Sequence, residues 1–131
     1  MKIWGVAILL LLSLVVCAQS KDAAYAGSWT GTWTGGGGGG GLKLKLTQTD
    51  GKWSGEASFE IQGTDVPCVV KTLKIDGDSI AFSYEFDLQG TKLISNLTGK
   101  KKDKTLEGEY KTTTADGSQG VDNGSWKLDL K

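Results

Sequence analysis

Alternation of apolar and polar side chains is the feature that most constrains this chain. Between residues 80 and 88, Ile, Phe, Tyr, Phe and Leu occupy every second position, and Ala, Ser, Glu and Asp fall between them. Residues 42–46 read Leu-Lys-Leu-Lys-Leu, and residues 53–62 alternate in the same way. A period of two puts successive side chains on opposite faces of a β-strand. Each segment therefore predicts a strand with one buried face and one solvated face.

Turn-forming residues divide the chain into eight predicted strands. Asp50-Gly51, Asp76-Gly77-Asp78 and the polar segment 101–104 suit tight hairpin connections. Beyond residue 27, no long stretch shows a helical spacing of apolar positions, which excludes parallel sheets with crossover helices. The predicted strands span residues 28–34, 42–49, 52–61, 66–75, 79–88, 92–99, 105–113 and 125–130.

Eight amphipathic strands in series must hide one apolar face and protect two edges. Pairing the first strand with the last removes both edges and encloses the apolar face. Glycines on that face, at Gly31, Gly55 and Gly108, permit the sharp bends of a small barrel or make room for a neighbouring Trp. We therefore predict an all-β fold over residues 28–131, an eight-stranded antiparallel up-and-down meander closed into a barrel.

The first residues of the chain have the pattern of an export signal. Residues 1–18 combine Lys2, an apolar run and a small residue, Ala18, at the expected cleavage point. The run is shorter than the roughly 18 to 20 residues that cross a bilayer, so the mature chain is predicted to have no membrane span. We expect an extracytoplasmic protein, secreted or periplasmic, with residues 19–27 as a short N-terminal extension.

The two cysteines have different expected fates. Lipid anchoring through Cys17 is the less favoured alternative to simple cleavage, because Val16 stands where lipoprotein signals have Gly, Ala or Ser. Removal of the signal leaves Cys68 as the only cysteine, so no intrachain disulfide is expected. We interpret Cys68 as a small buried hydrophobe.

Charge and residue usage exclude several functions. Loss of Lys2 from 15 basic residues leaves 14 against 15 acidic ones, a net charge near −1, and the chain has no Arg. Nucleic acid is therefore not an expected partner. The absence of His excludes imidazole-dependent triads and His-rich zinc sites, so we predict no catalytic residues, no cofactor and no enzyme activity. A calcium site is a minor alternative, resting on oxygen ligands in one Gly-rich segment, Asp116, Ser118, Asp122 and Asn123.

The order of connections gives the predicted barrel a direction. In a meander, alternate connections fall at the same end, so the three tight turns share one end. The other end collects the heptaglycine Gly35–Gly41 and the segments 62–65, 89–91 and 115–124. We interpret this four-loop end as a mouth and the heptaglycine as a flexible loop.

Aromatic side chains dominate the predicted interior. The inward residues nearest the mouth, and thus the predicted ligand-binding residues, are Trp33, Phe59, Phe86, Tyr110 and Trp126. The residues predicted to seal the opposite end are Trp29, Trp53, Leu106 and Leu130. An apolar lining with a few polar donors is typical of a site for a small apolar or aromatic molecule.

Two alternatives to a ligand-binding barrel stay open. Side chains can fill an eight-stranded barrel completely, which would suit a non-catalytic envelope or extracellular interaction module whose protein partner the sequence does not identify. A transmembrane barrel would turn the apolar face outward. It is less favoured, because the predicted strands are short and their apolar face carries glycines.

The residues Gly27-Ser28-Trp29 resemble the G-x-W motif early in the first strand of calycin-like barrels, which include lipocalins and avidins. The resemblance in strand order and length covers nearly the whole mature chain and implies a closed barrel with a ligand site at its open end. Lipocalins carry an Arg that packs on the Trp, and this chain has none. Avidins are more similar, and Trp53-Ser54-Gly55-Glu56-Ala57 resembles their third-strand region, but their biotin-contacting residues have no positional match here.

Overall fold

The computed structural model describes residues 25–36 and 38–131, so the predicted signal peptide and Cys17 lie outside the described residues. The strands are β1 (Gly27–Gly35), β2 (Gly38–Thr49), β3 (Lys52–Ile61), β4 (Thr64–Asp76), β5 (Ser79–Leu88), β6 (Thr91–Lys102), β7 (Thr105–Thr114) and β8 (Gly120–Leu130). Each strand pairs antiparallel with the next, and β1 pairs with β8. The predicted closed eight-stranded meander is confirmed. Within residues 25–36 and 38–131, no helix has the length and apolarity needed to cross a membrane.

The seam between β1 and β8 depends on glycine. Seven residue pairs close it, from Trp29 with Leu130 to Gly35 with Gly124. A Cβ at Gly31 would overlap the carbonyl oxygen of Lys127 on β8, so only glycine permits this close approach. Gly55, by contrast, has ordinary van der Waals room for a Cβ, and space does not explain that glycine.

A β-bulge in β4 preserves the apolar interior. The β4–β5 register shifts between Val70 and Thr72, which inserts one extra residue into β4. Val70 is inward on one side of the shift, and Leu73 and Ile75 pack against the core on the other, although their numbers differ in parity. Without the bulge, either half of the strand would turn its apolar side chains to solvent.

The prediction that Gly35–Gly41 form a flexible loop is wrong, because Gly38–Gly41 belong to β2 and pair with β1. The indole Nε1 of Trp33 reaches across Gly40 and donates a 3.0 Å hydrogen bond to the carbonyl oxygen of Glu60 on β3. A Cβ at Gly40 would overlap that carbonyl. Cross-strand hydrogen bonds and a covering indole therefore hold glycines that would otherwise be too flexible for a strand.

The remaining connections at this end are also shorter than predicted. β8 begins at Gly120, so the predicted 115–124 connection is wrong and contracts to residues 115–119. Asp116 organises it by accepting hydrogen bonds from the Thr114 hydroxyl at 2.7 Å and the Ser118 amide at 3.0 Å. These bonds lower the pKa of Asp116 to about 2. Two-residue turns replace the predicted segments 62–65 and 89–91.

The opposite end of the barrel is sealed by packed side chains, including Tyr25 from the predicted N-terminal extension. Tyr25 is 1% exposed, and its hydroxyl donates to the carbonyl oxygen of Gly77 at 2.7 Å. Its own carbonyl accepts a 2.9 Å hydrogen bond from Trp29 Nε1, and its ring meets Trp53 edge-on. Of the four residues predicted to seal this end, Trp29 and Leu106 are fully buried in the core, and Trp53 and Leu130 are partly buried and pack against it. We call this the closed end.

Candidate functional site

A cavity of about 220 Å³ lies inside the barrel at its four-loop end, which we call the open end. The connections β1–β2, β3–β4, β5–β6 and β7–β8 meet there. Its aliphatic lining consists of Leu42, Ile61, Leu88, Leu93, Leu97 and Val121. Toward the closed end the interior is filled, since Trp29, Leu106 and Leu128 are fully buried. The barrel is therefore solid in one half and hollow in the other. Because a cavity of roughly 150 Å³ holds benzene, a cavity of this size suits a molecule of about two fused rings.

Four of the five predicted ligand-binding residues form a continuous aromatic wall of this cavity. Tyr110 and Trp33 have ring centroids 6.1 Å apart, Trp33 and Phe59 are 6.0 Å apart, and Phe59 and Phe86 are 4.8 Å apart. Each contact is edge-to-face, the arrangement that ring quadrupoles favour. These four side chains retain exposures of 7 to 9%, because they face the open cavity. We call this set the aromatic wall.

Trp126, the fifth predicted residue, does not line the cavity. It is 2% exposed, packs edge-on against Phe82 with ring centroids 5.7 Å apart, and donates from Nε1 to the carbonyl oxygen of Glu109 at 3.0 Å. The predicted position of Trp126 at the mouth is wrong because β8 begins at Gly120, five residues before its predicted start at residue 125. Asp122 and Gly124 therefore take the inward positions nearer the mouth, and Trp126 lies below them.

A row of polar side chains lies along the lining of the cavity from β5 to β8. Tyr84 pairs with Ser95, Ser95 with Thr112, and Thr112 with Asp122, so the four residues occupy one level of four successive strands. Ser95 Oγ and Thr112 Oγ1 share a 2.6 Å hydrogen bond, and both residues are buried. All four line the cavity. We call this set the polar row.

Asp122 ends the polar row at the rim. Its Oδ2 accepts a 2.8 Å hydrogen bond from the Tyr110 hydroxyl, and its Oδ1 accepts one of 3.1 Å from the Gly36 amide. A β-bulge sets its orientation: Thr112 pairs with Asp122 and Thr113 with Gly120, which leaves Val121 as the extra residue. Asp122 is the only charged residue among those that line the cavity, and it forms no ion pair within the described part of the chain.

Both tyrosines of the cavity are held in the neutral form. Burial raises the pKa of Tyr84 above its ordinary value, and nearby Cys68 and Tyr110 raise it further. Burial also raises the pKa of Tyr110, as do the hydrogen bond to Asp122 and the negative charge of that carboxylate. Both phenols therefore remain protonated well above neutral pH, and each keeps a hydroxyl that can donate a hydrogen bond.

Sequence reasoning did not place Ser95, Thr112 or Asp122 in the cavity, although the sequence carries a signal for each. Ser95 lies between Leu93 and Leu97 on the inward parity of β6, as Thr112 follows Tyr110 on β7. A polar residue at an apolar position of an alternating strand is an exception that needs a partner. Asp122 shares the even parity of β8 with Trp126, but the shorter predicted strand hid that relation.

The carboxylates of the segment considered as a calcium site bind different groups of the protein. Asp116 binds the hydroxyl and amide groups of its own turn, whereas Asp122 faces Tyr110 and Gly36. Among the described residues, no three His, Cys, Asp or Glu side chains are grouped so as to hold a metal ion.

Comparisons of this chain with protein-family models, curated proteins and solved structures found no match. Its closed barrel of eight antiparallel strands is compatible with a calycin-like fold.

Proposed function

We propose that this protein is an exported, non-catalytic β-barrel that binds a small, partly apolar molecule in the cavity at its open end. The observation that carries the proposal is the cavity of about 220 Å³, which is lined by both the aromatic wall and the polar row. Small-molecule sites are concave and mostly apolar, with a few polar groups that fix orientation. The alternative of an interaction module with a filled core has less support, because the open half of the barrel is hollow.

A binding role agrees with the chemistry of the cavity better than catalysis does. The cavity offers one carboxylate, neutral hydroxyls and no imidazole. The nearby thiol of Cys68 donates to the carbonyl oxygen of Val66 at 3.5 Å, and burial raises its pKa to about 12. A thiol that stays protonated is a poor nucleophile. Export is supported by the signal pattern of residues 1–18.

We also propose a distant relation to calycin-like barrels, of the avidin type. The supporting observations are the closed meander and the position of Trp29, which follows Gly27 and Ser28 in β1 and is fully buried at the closed end. The relation concerns architecture and the end at which the ligand binds, and it does not extend to biotin.

Calorimetric titration with neutral naphthalene and indole derivatives tests the ligand-binding proposal. We expect one-site binding to the wild type and a loss of about tenfold or more in affinity for Leu93→Trp, since the added ring fills part of the cavity. Val69→Trp places the same ring on the outer face, where Val69 is 61% exposed, and should bind as the wild type does. Failure of every compound to bind the folded wild type, or full affinity in a folded Leu93→Trp variant, would contradict the proposal.

A further inference from the structure

The side chains that line the cavity at the mouth of the barrel include a negative charge and no positive charge. Asp122 is the single charged residue of the cavity lining. The lysines closest to the mouth on β6 and β7, Lys92 and Lys111, are both exposed and lie on the outward register of their strands. They pair with Asp87 and Asn123 on neighbouring strands rather than with any residue of the cavity. A molecule in the cavity therefore meets a carboxylate and no cation.

The distribution of polar groups also gives the cavity an orientation. The aromatic wall is built from β1, β3, β5 and β7, with Phe59 and Phe86 in the closest ring contact. The polar row runs from Tyr84 on β5 to Asp122 on β8 and carries neutral hydroxyls until it reaches the rim. Because the wall and the row line the same cavity, an aromatic ring that packs on the wall places its polar substituent within reach of the row. At the rim that substituent would lie beside Asp122.

The hydrogen bonds of Asp122 leave room for a ligand. Each carboxylate oxygen accepts one protein hydrogen bond, from Tyr110 or from Gly36. A carboxylate has about four acceptor positions, so further donors are accommodated. Hydrogen bonds that an ammonium group donates to a carboxylate are charge-assisted, and they are stronger than hydrogen bonds between neutral partners.

From these observations, and building on the proposed function, we propose that the ligand is an arylalkylamine of about two rings, whose ammonium group binds Asp122 while its ring packs on the aromatic wall. The same arrangement selects against aromatic carboxylates. Their negative charge would be placed near Asp122 without a basic side chain to compensate it, and repulsion between like charges opposes binding.

Three probes with one ring system and different charge test this proposal: naphthalenemethylamine, naphthalenemethanol and naphthoic acid. Calorimetric titration near neutral pH should show that the amine binds about tenfold more tightly than the alcohol, and the acid about tenfold more weakly. In the Asp122→Asn variant, the ratio of amine to alcohol affinity should fall toward one. Asp87→Asn is the matched control, since it removes an exposed carboxylate from the outer face near the same end and should keep the wild-type ratio.

Salt dependence of the wild type provides a test that needs no variant. Raising NaCl from about 0.05 M to about 0.5 M should weaken amine binding several-fold and leave alcohol binding nearly unchanged, because salt screens charge at an open rim. Equal affinities, tightest binding of the acid, or an amine preference that survives in a folded Asp122→Asn variant would overturn the proposed ligand class and leave the proposed function standing. If none of the three probes binds, the proposed function itself fails.

Discussion

The hydroxyl of Tyr110 lies 2.8 Å from Oδ2 of Asp122 and donates a hydrogen bond to it, which joins β7 to β8 across the bulge at Val121. The same carboxylate accepts the amide of Gly36, so the β1–β2 connection is tied to the pair. Gly35 lies directly against them, and a Cβ there would overlap the Tyr110 hydroxyl. The rim of the cavity is thus fixed by one tyrosine, one carboxylate and a glycine that leaves space for both.

A double-mutant cycle should measure the coupling between these two residues. Tyr110→Phe removes the donor, and Asp122→Ala removes the acceptor. A hydrogen bond to a charged group contributes about 1.5–3 kcal/mol, and less at a rim that water reaches, so we expect a coupling of about 1 kcal/mol in the free energy of unfolding. Urea denaturation of the wild type, both single variants and the double variant gives this value. Additivity of the two substitutions would show that the bond contributes nothing to stability.

Substitution of Gly108 should be far more damaging than substitution of Gly120. A Cβ at Gly108 would overlap the carbonyl oxygen of Thr98 on the neighbouring strand, so Gly108→Ala must force β6 and β7 apart. We expect a loss of roughly 2–4 kcal/mol in the free energy of unfolding. Gly120 has no atom within 4 Å of such a Cβ, and Gly120→Ala should change stability by less than about 0.5 kcal/mol. Equal effects in thermal or urea unfolding would contradict the close approach at Gly108.

Tyr25 should contribute substantially to stability although it precedes the first strand. Tyr25→Ala removes a fully buried ring and should lower the free energy of unfolding by about 3–5 kcal/mol, as large-to-small core substitutions do. Tyr25→Phe keeps the ring but removes the hydrogen bond to Gly77, and it should lower the free energy of unfolding by about 1 kcal/mol. Thermal unfolding of both variants separates packing from hydrogen bonding. Wild-type stability of Tyr25→Ala would mean that this residue does not seal the barrel.

Stability should decline in alkaline solution. The pKa of Cys68 rises from 9.0 to about 12 through burial, and the pKa values of Tyr84 and Tyr110 are also raised. Above pH 9 the folded chain therefore binds more protons than the unfolded chain, and the free energy of unfolding falls as the pH increases. Below pH 9 this contribution is fully present.

Urea denaturation between about pH 8 and pH 11 measures this decline. The Cys68→Ala variant should start to lose stability about one pH unit later than the wild type, near the ordinary pKa of tyrosine. Cys68 is only partly buried, so its raised pKa rather than inaccessibility predicts slow alkylation near neutral pH in the folded protein and faster alkylation in urea. Constant stability up to pH 11, or rapid alkylation of the native thiol, would show that folding does not raise the pKa of Cys68.

The fold was largely predictable because alternation and turn residues act locally. The run from Ile80 to Leu88 and the Asp50-Gly51 turn each specify a strand or hairpin from adjacent residues, and closure follows from the need to bury one face of every strand. The wall residues Trp33, Phe59, Phe86 and Tyr110 were predictable for the same reason, since parity and strand direction place them inward at one end. The pairing of Gly38–Gly41 was not predictable, because the indole that covers them is held by a hydrogen bond to Glu60, which is distant in sequence.

By itself, the sequence determined the fold class, the direction of the barrel and the aromatic character of its open half, because these depend on periodicity and connection order. Only the tertiary structure decided that the open half is hollow and that Trp126 lies beneath the cavity. It also brought Ser95, Thr112 and Asp122 into one row. The positions of Trp126 and Asp122 depend on how far β8 extends and on where a bulge shifts its register. The length and register of a strand are set by its packing against neighbouring strands, and a local sequence pattern does not contain that information.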